Sequence, residues 1–232
     1  MKRIAYILIA GLAMHVAAYG QGAAPAQPAG EASQPAAAHA QSAAADAQQE
    51  KRAADWVASL QLTDTAKEAR LVRVISTHLL TIRDWYNDHP FTAVPAGIDP
   101  ATGKRLSNMD RQIIAISAMP DSIHQNLMKG LRADLDSTQV SAILDKYTVG
   151  KVAFTMAGYR SIVPDLKPEE AAVIERNLEQ AREQAVDYKN VKQISAIFEI
   201  YKTKNEEYLN ANGRNWHALY KAFTDAQKAK KN

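Results

Sequence analysis

From residue 53 onward apolar side chains recur at three- and four-residue steps, separated by prolines, glycines and capping residues. That is the period of helices burying one face. Ala53, Trp56, Val57 and Leu60 predict a short amphipathic helix. Thr63 reads as the N-cap of the next, which places Val72, Ile75, Leu79, Ile82 and Tyr86 on one face until Pro90 ends it. Ser107 and Asp110 resemble a capping box ahead of Ile113, Ile114 and Ile116. Pro120 opens a helix through Ile123, Leu127 and Met128, which Gly130 is expected to interrupt. Asp136 to Gln139 form a further cap before Val140, Ile143 and Leu144.

The stretch 147–190 is the centre of this pattern. Val149, Val152, Met156, Tyr159 and Val163 share one helical face, and Ile174, Leu178, Ala181 and Ala185 rebuild a stripe after the turn. Pro164 stops the first helix, while Pro168 suits the first turn of the second. Residues 147–155 are also compatible with a hairpin by propensity. Ile194, Phe198, Tyr201 and Tyr208 then line another helix, ended by Gly213; Trp216, Leu219, Tyr220 and Phe223 make the last. The expected fold is all-α, one domain of about seven or eight helices over residues 51–232.

The two ends of the chain follow other patterns. Residues 1–20 carry Lys2 and Arg3, an apolar run, and Ala18-Tyr19-Gly20 with small residues at the cleavage positions, which predicts a secretory signal peptide. The run is shorter than a membrane helix requires, so no stable membrane anchor is expected. Residues 21–50 hold Ala, Gln, Pro, Gly and Ser without an aromatic or β-branched residue, and are expected to be a flexible leader whose Ala-rich second half frays in and out of helix. A periplasmic or secreted location follows. The 232-residue chain has no cysteine, which excludes disulfides, thiolate metal sites and a lipoprotein anchor. Its net charge of +3 comes largely from the ends, and no basic stripe marks nucleic acid as a partner. No zinc, calcium or phosphate-loop motif occurs, so neither a metal nor a cofactor is expected.

Over most of residues 60–216, and most clearly over 147–213, the chain resembles a known family. Tyr159, Pro164-Asp165-Leu166, Glu170, Ile174, Leu178, Ala181-Arg182-Glu183-Gln184-Ala185 and Asp187 carry the likeness, continued by Phe198, Tyr201-Lys202, Tyr208-Leu209 and Gly213. The family is a domain of unknown function in exported proteins of polysaccharide-degrading bacteria, described as sugar-binding. The resemblance implies a carbohydrate ligand, expected to come from acidic plant or algal glycans, and brings no catalytic residues with it. Two departures bear on ligand choice: Glu206-Glu207 stands where the family has paired asparagines, and Gly213-Arg214-Asn215 where it has Gly-Tyr-Asp.

A sugar site needs flat rings for C–H faces and planar polar groups for hydroxyls. The candidate binding residues are Tyr159, Arg182, Asp187, Tyr201, Lys202, Tyr208, Asn212 and Trp216, with His89 from the long loop 87–106. Each has a plainer reading: the aromatic residues as core, Asn212 as a turn, and Arg182, Glu183 and Asp187 as an ion-paired face. Glu183 and Asp187, four apart, crowd two negative charges unless Arg182 or a lysine intervenes. Lys151, which either snorkels or pairs with Asp187 or Glu183, would serve with Tyr159 and with His124 or His89 as acid and base if the protein is a polysaccharide lyase or hydrolase. A periplasmic helical chaperone or stress sensor is the third reading; it requires an exposed apolar concavity.

Overall fold

The computed structural model describes residues 34–100 and 102–230. Those residues form nine α-helices: α1 (Gln34–Ala58), α2 (Thr65–Asp88), α3 (Asn108–Ser117), α4 (Asp121–Asp134), α5 (Ser137–Thr148), α6 (Lys151–Ile162), α7 (Pro168–Ala185), α8 (Val191–Ala211) and α9 (Trp216–Ala229). A 3-10 turn spans Phe91–Ala93, and an isolated bridge joins Ile98 to Arg105; there is no strand among the described residues. The fold is all-α, as the periodicity predicts, with nine helices in place of seven or eight. Pro120 separates α3 from α4, as the sequence pattern predicts. Val149 and Gly150 both take left-handed backbone, φ 55° and 64°, so residues 147–155 make a helix–helix corner and not a hairpin.

The start of the domain lies earlier than the sequence pattern suggested. α1 runs back to Gln34, so a boundary at residue 51 falls inside a helix. Alanine and glutamine are good helix formers, and extending a helix already anchored by buried Ala53 and Val57 avoids the cost of nucleation. Asp46, within the expected leader, pairs with Arg83 of α2. The signal peptide and residues 21–33 lie outside the described residues. Among those described, no helix is long and apolar enough to cross a membrane.

Local chemistry explains most of the helix ends. Asp64, one residue beyond the expected Thr63, caps α2 by accepting from the Lys67 N–H at 2.9 Å. Ser107 with Asp110, and Asp136 with Gln139, form complete capping boxes. Pro168 stands at the first position of α7. Gly130 does not interrupt α4; a Cβ there would lie 2.7 Å from both methyl carbons of Val74, so glycine lets α4 close on α2.

Two hydrophobic cores result. One joins α1, α2, α4 and α5 through residues such as Val57, Leu71, Ile75, Leu127, Leu131 and Ile143. The other joins α6 to α9 with the end of α3, through Met156, Ile174, Leu178, Ile197, Phe198 and Leu209. The end of α7 serves both: Val186 belongs to the first core, while Ala185 and Tyr188 belong to the second. This seam is where polar groups are brought together.

Candidate functional site

Helix α7 buries Ile174, Leu178, Ala181 and Ala185, so the residues between them must face elsewhere. Gln180, Glu183 and Gln184 emerge on one side, and Asp187 follows them in the turn after the helix. Opposite stand His124 and Gln125 of α4, Ser117 at the end of α3, and Tyr201 of α8. Together they line an open cleft of about 570 Å³, with Ile116, Met119 and Tyr188 as its apolar wall.

Asp187 is the pivot of this cleft. Its Oδ1 takes a hydrogen bond from His78 Nε2 of α2 at 3.0 Å, and its Oδ2 takes one from His124 Nδ1 at 2.9 Å. His78 is 3% exposed, whereas the His124 side chain is 26% exposed and reaches the cleft. Burial alone would raise the Asp187 pKa, yet the hydrogen bonds from the two histidines outweigh it and hold the carboxyl below its ordinary value. His124 moves the other way: its bond to Asp187 raises the imidazole pKa against the opposing effect of burial. Its Nε2 lies 3.7 Å from Glu183 Oε1. His124 is therefore a held proton donor at the cleft wall, with Nδ1 committed to Asp187. Tyr188 beside it is pushed up by burial and by the negative charge of Asp187.

His78 Nδ1 and the Tyr147 hydroxyl, whose rings meet edge to face at 5.4 Å, are both buried without a hydrogen-bond partner. Burial and the charge of Asp187 raise the Tyr147 pKa well above its ordinary value. No group of three or more histidine, aspartate or glutamate side chains among the described residues is arranged to hold a metal ion.

The structure brings together Asp187, His124 and Tyr201 of the sequence candidates. Arg182 turns to the other side of α7, where it donates to Asp145 at 3.0 Å and to the Ser141 hydroxyl at 3.0 Å. The side chain between Glu183 and Asp187 is thus the imidazole of His124, with Arg132 at 3.3 Å from Glu183, and not Arg182 or a lysine. Lys151 sits 5.8 Å from the Phe198 ring centre and pairs with neither Asp187 nor Glu183. Burial lowers its pKa.

Tyr159 is 2% exposed in the second core; its hydroxyl donates to the Lys202 carbonyl, and burial raises its pKa. Lys202 pairs with Glu199 at 2.9 Å. Trp216 is buried between Tyr159 and Tyr220, with ring centres at 5.3 and 6.1 Å. Tyr208 packs against the same core, and Asn212 donates to the Tyr208 carbonyl at the end of α8. His89 stacks on Trp85 at 3.8 Å, and its carbonyl accepts from Gln112. The loop 87–106 is tied to α3, where Arg111 donates twice to the Val94 carbonyl, and none of its described residues lines the cleft.

Sequence reasoning missed Gln125, Gln180, Gln184 and Tyr188 as cleft residues. The available signal was the polar spacing Gln180, Gln184, Asp187 on the side of α7 away from its alanines.

The fold and cleft define an all-helical domain with a histidine-braced carboxylate at the seam between two cores. The chain belongs to the family described as "Protein of unknown function (DUF3826)", whose profile matches residues 46–229. No curated protein matches the chain.

Proposed function

We propose that the protein binds carbohydrate in the cleft beside Asp187, as an exported component of polysaccharide utilisation. The observation that carries this reading is the convergence of Gln125, Gln180 and Gln184 on one cleft with no hydrogen bonds of their own, beside Tyr188 and Tyr201. Carboxamides without partners suit vicinal hydroxyls, since each offers a donor and an acceptor in one plane. The tyrosine edges and Met119 supply apolar area for the C–H faces of a sugar ring. Protonated His124 adds a donor for a hydroxyl or ring oxygen, and Glu183 an acceptor.

The test is a panel of neutral and acidic oligosaccharides, read by calorimetry and by ligand-induced melting shifts. Binding by the parent protein, weakened about five- to tenfold in Gln184→Ala or Gln180→Ala at unchanged melting temperature, supports the reading. A panel that produces neither heat nor shift removes it. Export rests on residues 1–20; N-terminal sequencing of the protein recovered from the periplasm or medium should begin at Gln21.

A second reading is supported by the Asp187–His124 pair, which resembles the carboxylate–imidazole arrangement of acid–base catalysis. There the protein would be a lyase or hydrolase, with His124 as proton donor oriented by Asp187. Lys151, Tyr159 and His89 lie away from the cleft and take no part. Ultraviolet absorbance from new unsaturated uronates, or new reducing ends, would show turnover, and His124→Gln would abolish it. The chaperone alternative asks for an apolar concavity, whereas amides, carboxylates and imidazole line this cleft.

A further inference from the structure

On the far side of α7 a second groove, of about 550 Å³, lies between α4, α5 and α7. Its walls carry Arg132, Arg176 and Arg182, and its floor is apolar, with Met128, Leu135 and Leu144. The three guanidinium groups differ in how far they are committed. Arg176 is exposed and makes no ion pair or hydrogen bond. Arg132 is 60% exposed and touches only Glu183, at 3.3 Å. Arg182 is 6% exposed and fixed by Asp145 and Ser141, while its Nε is buried without a partner. The facing acids are Glu179, 3.8 Å from Arg182, and Glu183, which His124 also draws toward the first cleft. That leaves one free guanidinium and one loosely held above an apolar floor.

Gln180 and Glu183 line both grooves. A chain-like ligand crossing α7 at these residues would touch the amide cleft and the arginine groove together. We infer that the arginine groove is a second subsite, which takes a carboxylate-bearing sugar unit of the same glycan chain. Planar guanidinium forks pair with carboxylates in two parallel hydrogen bonds, and the apolar floor matches the C–H face of the ring that bears the carboxylate. Glu183 acts as the ridge between the sites: when Arg132 turns to the ligand, Glu183 keeps His124 as its partner.

This inference rests on the carbohydrate reading, and the experiment separates the two. The full-length protein is titrated with oligomers of galacturonate, glucuronate and mannuronate, each alongside its carboxyl-reduced neutral form. The expected result is about tenfold tighter binding of an acidic oligomer than of its neutral partner. Arg132→Ala with Arg176→Ala should bring the two within about twofold, and Arg176→Ala alone should narrow the gap by about threefold while leaving the neutral affinity unchanged. Both arginines are surface groups, so the melting temperature should hold, and Arg176→Gln alone provides a milder variant. Equal affinity for acidic and neutral forms, or a preference that survives both substitutions, overturns the subsite and leaves sugar binding standing. Binding of no member of the panel, when neutral glycans also fail, overturns both.

Discussion

Glu170 and Asp187 are the two carboxylates that helix α7 and its ends hold most firmly, and they are held for different purposes. Glu170 is 3% exposed and takes both oxygens' worth of a bidentate Arg214 fork, at 2.9 and 2.7 Å, while the Lys167 N–H donates to it at 2.9 Å. Arg214 also donates to the Asp165 side chain and carbonyl, at 2.7 and 2.9 Å. Glu170 lines neither groove. It ties the α6–α7 turn to the segment before α9. Asp187 is also fully engaged, but one of its partners, His124, keeps a second nitrogen at a cleft wall. A saturated cluster reads as structure, whereas a saturated carboxylate behind a half-used partner reads as preparation for a ligand.

The sharpest way to break the comparison is to remove Arg214. Arg214→Ala leaves Glu170 buried with only a backbone donor, which should cost about 3–5 kcal/mol, the usual penalty for orphaning one member of a buried pair. Arg214 holds the Glu170 pKa down at about 2. A lowered carboxyl pKa gives stability that is present above the unfolded value near 4.3 and lost as pH falls toward the folded one. Chemical denaturation between pH 5 and roughly pH 2 should therefore show a shallower acid decline in Arg214→Ala than in the parent. Oligosaccharide affinity should be unchanged in whatever fraction remains folded. A matching loss of affinity would mean that the two carboxylates do not divide their roles in this way.

Asp187→Asn should have a smaller effect on stability and a larger one on binding. The amide keeps the shape and one acceptor, so one histidine retains its hydrogen bond and the other must change tautomer or lose it. The expected loss is about 1–3 kcal/mol. Without the negative charge the His124 pKa is no longer raised and its ring is less firmly oriented, and sugar affinity should fall by about tenfold. Denaturation and calorimetry on one preparation report both effects. Equal affinity would show that Asp187 is as purely structural as Glu170.

Which parts were legible in the sequence follows from how local each determinant is. Capping boxes at Ser107 and Asp136, the Pro164–Pro168 turn and the stripe from Ile174 to Ala185 are written within a few residues of one another, and they were read correctly. α1 was undercut because composition predicts disorder for an Ala/Gln stretch until something anchors it, and the anchor, Arg83 on Asp46, lies 37 residues away. Gly130 was taken as a break because its reason, Val74, is on another helix. The site was harder still. His78 and Asp187 stand 109 residues apart, and no spacing rule connects them. Aromatic residues such as Tyr159 and Trp216 attract attention as sugar platforms, but the same rings fill cores, and burial decides between the roles. Exposed glutamines on α7 attract none, although the absence of partners is what makes them available.

The finest test of the comparison is the pH response of His124. Its pKa is raised by the bond to Asp187, so its contribution to stability is fully present below the unfolded value near 6.5 and lost as pH rises through the folded value. Glu170 contributes nothing to this window, because its titration is complete far below it. His124→Gln should therefore remove a stability decline on the alkaline side of pH 6.5, with a change at neutral pH of about 1 kcal/mol or less, and should also soften the acid limb, because Asp187 loses a bond that holds its pKa down. Arg214→Ala should flatten the acid limb alone. An alkaline limb that only His124→Gln flattens would show that the clamp and the cleft are energetically separate, as the lack of any shared partner between Arg214 and His124 requires. If Arg214→Ala also changed the alkaline limb, the Glu170 clamp would be reaching His124 through the length of α7, and the cleft could not be tuned without loosening the fold.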